Sequence, residues 1–200
     1  MASSRSTPRL RLTAGLLALL LVVVAISERR FATGLVGDVL QFAGLACVAC
    51  AALGRVWTSV FIAGFKDRVL VRSGPYAVLR HPLYALSLLA MLGLGLTTGS
   101  ITVTLVLLAV FGAIYWAAAR DEDRHLRGLH GVAHERFERE VRALLPRWSA
   151  YALPDSLEVR PRVLWKSFLD AGSLLGFYGL LRVADALQQH GVTPTWLTLA

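Results

Sequence analysis

Charged residues nearly avoid four stretches of the chain, at 12–27, 35–53, 83–119 and 171–181, and crowd into the segments between them. Long uncharged runs broken by compact polar clusters are the signature of helices that cross a bilayer. The first run, Leu12–Ser27, rises about 24 Å as a helix. Arginines at 5, 9, 11, 29 and 30 flank it and can snorkel to the headgroups. A basic start, an apolar middle and Ala25-Ile26-Ser27 as a passable cleavage site also suit a signal peptide; the reading preferred is an uncleaved anchor. Leu35–Leu53 is the second span, closed by Gly54-Arg55-Val56-Trp57 as an interfacial belt. The apolar run Val60–Phe65 continues at the surface before Lys66-Asp67-Arg68. Leu83–Leu96 and Ile101–Ala119 form a helical hairpin around the turn Thr97–Ser100.

Beyond Arg120 the pattern changes. Leu126, Leu129, Ala133, Phe137, Val141 and Leu144 recur every three or four residues among Arg and Glu. That spacing predicts an amphipathic helix on the membrane surface, or two helices broken near Gly128 and Gly131. Arg147–Arg162 reads as irregular. In Val163–Gln189 the charges Lys166, Asp170, Arg182 and Asp185 leave only Ala171–Leu181 uncharged. Eleven such residues favour an interfacial or partly buried helix, with a shielded fifth span as the alternative. The fold class expected is all-α: a polytopic integral membrane protein of four to five transmembrane helices with a cytoplasmic amphipathic segment. Residues 1–200 form a single domain.

Composition agrees with this pattern. Hydrophobic residues make up 56% and charged residues 17%, and mean hydropathy is +0.57, too apolar for an ordinary soluble domain. The formal net charge of +8 raises nucleic acid as a partner. The arginines flank apolar spans, however, so anionic membrane lipids explain them and nucleic acid is set aside. Cys47 and Cys50, the only cysteines, fall inside an apolar helix and read as small packing residues. Counting basic residues puts the N-terminus, the Arg55–Arg80 loop and everything from Arg120 to Lys166 on one side, with Arg29 and Arg30 opposite. By the positive-inside bias that side is the cytoplasm.

The densest chemistry lies at Gly74–Tyr84, Gly-Pro-Tyr-Ala-Val-Leu-Arg-His-Pro-Leu-Tyr. Each proline biases the residue before it away from helix, so Gly74 and His81 take extended or turn geometry. Pro82 suits the first turn of the helix that follows. The loop holds Arg80 and His81 at the membrane surface, on the same side as Glu122 and Asp123. A cation, an imidazole, two aromatic rings and an acidic pair suit a zwitterionic, aromatic ligand. His130 and His134 have metal-ligand spacing (i, i+4) but no third ligand on their face, so no metal site is expected. Gly93-Leu94-Gly95 with Gly99 fails the dinucleotide spacing and reads as close helix packing.

The pattern Gly-Pro-Tyr-x-x-x-Arg-His-Pro-x-Tyr, followed one hairpin later by Glu-Asp-x-x-Leu-x-x-x-x-Gly from Glu122 and by Leu145-Pro146, resembles the isoprenylcysteine carboxyl methyltransferase and phospholipid methyltransferase superfamily. Leu53-Gly54-Arg55-x-Trp57 and Lys66 are similar to its bacterial members. The resemblance covers about residues 53–146 and leaves 147–200 as a peripheral extension. It implies methyl transfer from S-adenosylmethionine to a lipophilic or lipidated acceptor in a bacterial inner membrane. It also implies that Gly74, Tyr76, His81, Pro82, Tyr84 and Glu122 hold the cofactor, while Arg80, Glu122 and Asp123 are catalytic. The second acid, usually glutamate, is here Asp123, and the later paired tyrosines are His134 and Phe137. The rival reading is a non-catalytic membrane protein binding anionic lipid or a partner through its arginine-rich face.

Overall fold

The structure, a computed structural model, describes residues 15, 27–29, 34–62, 69–157, 159–192 and 197–199. The expected span Leu12–Ser27, apart from Gly15 and Ser27, and the polar triplet Lys66–Arg68 lie outside the described residues. The regular elements among the described residues are helices but for two three-residue strands. In order they form β1 (Ser27–Arg29), α1 (Gly34–Ile62), α2 (Pro75–Val78), α3 (Pro82–Thr97), α4 (Ile101–His130), α5 (Val132–Glu140), a 3-10 turn at Trp148–Ala150, α6 (Pro161–Gln189) and β2 (Leu197–Leu199).

Helices α1 and α4, of 29 and 30 residues, are long and apolar enough to cross a membrane; α3 is a shorter apolar helix of 16 residues. Both long helices overrun their expected ends. Helix α1 continues through Gly54, where an interfacial stop was expected, and takes in Val60–Ile62. Helix α4 continues from the hairpin through Arg120-Asp121-Glu122-Asp123 to His130. The polar residues there are adequate helix formers and no proline intervenes, so a change of solvent does not end the helix. It stops at Gly131, whose φ of 52° suits glycine, and α5 folds back from there. The buried face of α5 is His134 and Phe137, whereas Leu129 and Ala133, expected on the apolar stripe, are exposed.

The core forms where α3 sits among its neighbours: Val48 and Ala51 of α1, Ala90, Met91 and Leu94 of α3, Leu107 and Phe111 of α4, and Leu181 of α6. Helices α1 and α3 approach very closely. A Cβ on Gly44 would stand 2.5 Å from Thr97 Oγ1 and 2.7 Å from the Gly93 carbonyl. One on Gly93 would stand 2.6 Å from the Gly44 carbonyl. The small residues thus serve helix packing, as the sequence suggested. Outward faces remain apolar, with Leu35, Val39 and Phe42 on α1, Leu105 on α4 and Leu180 and Val183 on α6 all exposed.

Helix α6 is one 29-residue helix, Pro161–Gln189, over the segment Val163–Gln189 read as a helix around the uncharged core Ala171–Leu181. Two of its charges offset each other locally: Arg182 Nη1 lies 2.5 Å from Asp185 Oδ2, one turn away, and Asp185 is buried, while Lys166 and Asp170 are exposed. The segment after residue 146, expected to be peripheral, supplies Leu181 to the core and the Ala152 carbonyl that accepts from Gly74 N at 2.7 Å.

Candidate functional site

The loop between α2 and α3 is pinned through its backbone. Arg80 N donates to the Arg142 carbonyl at 2.9 Å and His81 N to that of Ala143 at 3.2 Å. Arg147 N donates in turn to the Val78 carbonyl at 3.2 Å. Gly74 adopts a φ of 57°, and a Cβ there would fall 2.3 Å from the Phe61 ring, so both conformation and space require glycine. Pro75 and Pro82 each begin a helix, with Gly74 and His81 at the non-helical position before them.

These constraints aim Arg80 and His81 at the polar end of α4. Arg80 Nη2 donates to Asp123 Oδ2 at 3.1 Å, and Nη1 donates to the Glu138 carbonyl at 3.1 Å. His81 Nε2 lies 3.0 Å from Asp123 Oδ1, and its Nδ1 is 3.7 Å from Glu122 Oε2. Tyr84 stacks on Tyr115 of α4 at 5.7 Å between centroids and lies 5.7 Å from the His81 ring. Tyr76 is buried under the same loop. The structure therefore gathers Arg80, His81, Glu122, Asp123 and Tyr84 at one place, with Gly74, Tyr76 and Pro82 framing the loop that presents them.

Electrostatics make this cluster an ion network. Burial disfavours the His81 imidazolium, but the hydrogen bond to Asp123 and the charges of Asp123 and Glu122 outweigh it, raising the pKa from 6.5 to about 9. Burial would likewise raise the Asp123 carboxyl; the His81 hydrogen bond and the charges of His81, Arg80 and His134 overcome this and hold it below its usual value. Burial, followed by the charges of Glu122 and Tyr84, pushes the Tyr76 phenol well above its ordinary range. At neutral pH the site thus holds a charged imidazole, an ionised Asp123 and a neutral phenol.

A hollow of about 560 Å³ opens beside the cluster, lined by Arg80, Arg127, Glu135, Glu138 and Arg139. Of the residues singled out from sequence, Arg80 alone lines it. The Arg80 Nε is buried without a hydrogen-bond partner while both terminal nitrogens are engaged, which leaves a charged donor unused. Glu138 and Arg127, joined at 2.5 Å, were missed by the sequence reading. His134, four residues before Glu138 in α5, was visible as a departure from the family pattern, but its neighbour Asp123 appears only once α5 folds back at Gly131.

A family model described as phospholipid methyltransferase matches residues 32–132. Among curated proteins, the chain is 36% identical over 165 residues to the cobalt-zinc-cadmium resistance protein CzcN of Cupriavidus metallidurans, covering 82% of this chain and 76% of that protein. It is 30% identical over 156 residues to the nickel-cobalt-cadmium resistance protein NccN of Alcaligenes xylosoxydans xylosoxydans, covering 78% and 73%. No solved structure matches.

Proposed function

The chain belongs to the phospholipid methyltransferase family, and on that premise we propose that it is a membrane-embedded methyltransferase using S-adenosylmethionine on a lipophilic acceptor. The observation that carries this reading is the convergence of Arg80 and His81, from the loop before α3, with Glu122 and Asp123 of α4, inside the family match. The donor set fits the cofactor. Its carboxylate suits the unused Arg80 Nε, its ammonium suits Glu122, and its base and sulfonium suit the faces of Tyr76 and Tyr84. When bound, the cofactor supplies an electrophilic methyl group on sulfur.

The protein's own part is binding, orientation and exclusion of water. Asp123 has both oxygens engaged, one by Arg80 and one by His81, so its role is to orient these two cations. Glu122 is the more exposed acid, at 30% against 14% for Asp123, and is the group placed to take a proton from an amine acceptor. A carboxylate or thiolate acceptor is already nucleophilic and needs no base. The acceptor enters from the bilayer, and the site faces the cytoplasm of a bacterial inner membrane, with α1, α3, α4 and α6 among the spans. The two relatives are named metal resistance proteins, which supports assigning this methyl transfer to metal resistance.

Calorimetry on the detergent-purified protein tests the cofactor. Saturable S-adenosylmethionine binding, lost in His81→Ala and Glu122→Gln, is expected; no heat at millimolar ligand would favour the non-catalytic lipid-binding reading. Incubation with methyl-labelled cofactor and membrane extract then classifies the acceptor. Label released by mild alkali marks an ester, and label that survives marks an amine or thioether.

A further inference from the structure

We propose that Asp123, His134 and Glu138 form a binding site for a divalent transition-metal cation of the zinc or cobalt type, next to the proposed cofactor site. The central observation is His134. It is 0% exposed, and neither ring nitrogen makes a hydrogen bond. A buried imidazole nitrogen left unsatisfied is costly, and a cation at the Nε2 of His134 would complete that one. Its Nε2 lies 3.4 Å from Asp123 Oδ1 and 3.4 Å from Glu138 Oε1. Four ligands about 2.1 Å from a tetrahedral ion stand about 3.4 Å from one another. The three donor atoms all lie within 4.8 Å of one another.

The two acids are preset for this task by arginines. Arg80 Nη2 holds the Oδ2 of Asp123, and Arg127 Nη2 holds the Oε2 of Glu138 at 2.5 Å. Each carboxylate therefore spends one oxygen on a guanidinium and turns the other toward the same imidazole nitrogen. His81 Nε2, 3.0 Å from Asp123 Oδ1, is an outer partner of the kind that fixes ligand orientation. Three protein ligands leave a fourth tetrahedral position for water, and Glu138 also lines the open hollow, which gives an ion its way in.

The surroundings also set the selectivity. The guanidiniums of Arg80 and Arg127 oppose an incoming cation, so charge attraction alone is weak here. An ion must gain from inner bonding to imidazole, which suits zinc or cobalt and not the hard ions magnesium and calcium. His134 and Glu138 lie beyond the family match at residues 32–132 and belong to the fold-back after Gly131. The site is thus separate from the residues assigned to methyl transfer, save for the shared Asp123.

Titration of chelator-stripped, detergent-purified full-length protein with Co²⁺ tests this directly, with no need for cofactor or methyl transfer. Visible bands of tetrahedral cobalt should saturate at one ion per chain, be displaced by Zn²⁺ and persist in millimolar Mg²⁺. His134→Phe should abolish them and Glu138→Gln should weaken binding at least tenfold. Arg127→Gln should weaken it by about tenfold through loss of orientation, and Glu140→Gln, exposed at the end of α5 and outside the hollow, should leave it unchanged. If His134→Phe fails to fold, the partly exposed Glu138→Gln decides alone. Absence of a saturable cobalt signal in the wild type, or wild-type affinity in Glu138→Gln, overturns the proposal.

Discussion

His81 shows how much one residue's setting changes its chemistry. In the unfolded chain its imidazole titrates near 6.5, and in the folded site near 9. The folded state therefore binds the proton more tightly, and the resulting stabilisation is complete below about pH 6.5 and fades as pH climbs through about 9. Its full size is on the order of 3 kcal/mol. The lowered Asp123 reflects the same ion pair and is not counted again. Thermal melts between pH 6 and 10 should show wild-type stability falling across this window, while His81→Asn stays nearly flat. Parallel profiles for the two proteins would show that the proton on His81 is not linked to folding. His81 was legible in the sequence because prolines and an arginine mark its loop. The partner Asp123 of His134 was not, because it meets the imidazole only through the reversal at Gly131, whereas Glu138 was available from its i, i+4 spacing within α5.

At the scale of elements, the hairpin and its turn were legible and the helix ends were not. Pro82 fixes the start of α3, and Ser100, whose side chain accepts from Val103 N at 3.2 Å, caps α4 at its start. The ends of α1 and α4 depend instead on where a helix meets other elements, and hydropathy follows the solvent rather than the hydrogen bonds. Charges in α6 suggested a short core for the same reason, although Arg182 and Asp185 neutralise each other within one turn. The packing of α1 on α3 makes its own prediction. Gly44→Val and Gly93→Val should each destabilise the protein by about 1–3 kcal/mol, read from denaturation in detergent, since the obstructing atoms include backbone. Gly112→Ala in α4, with open space around it, should be neutral or stabilising by up to about 1 kcal/mol. Equal effects at all three positions would mean that the helices do not approach as closely as described.

Across the whole molecule, α1 and α6 run antiparallel. The site end of α1 is fixed by Phe61 against Gly74, and 29 residues carry its other end about 43 Å away. Helix α6 starts after the segment whose Ala152 carbonyl accepts from Gly74 N, and covers a similar length. A cysteine at exposed Val192 and one at exposed Arg139 should therefore react with an impermeant maleimide from opposite faces of the membrane, in a background lacking Cys47 and Cys50. Labelling from the same face would mean that α6 lies on the bilayer instead of crossing it. Far from the site, β1 and β2 pair in parallel, with Ser27 opposite Leu197 and Arg29 opposite Leu199. That pairing draws the two ends of the described chain together like the cord of a purse. The segment before α1 and the segment after α6 are thereby fastened to each other, so deleting residues 197–199 should release both together, seen as faster amide exchange at residues 27–29.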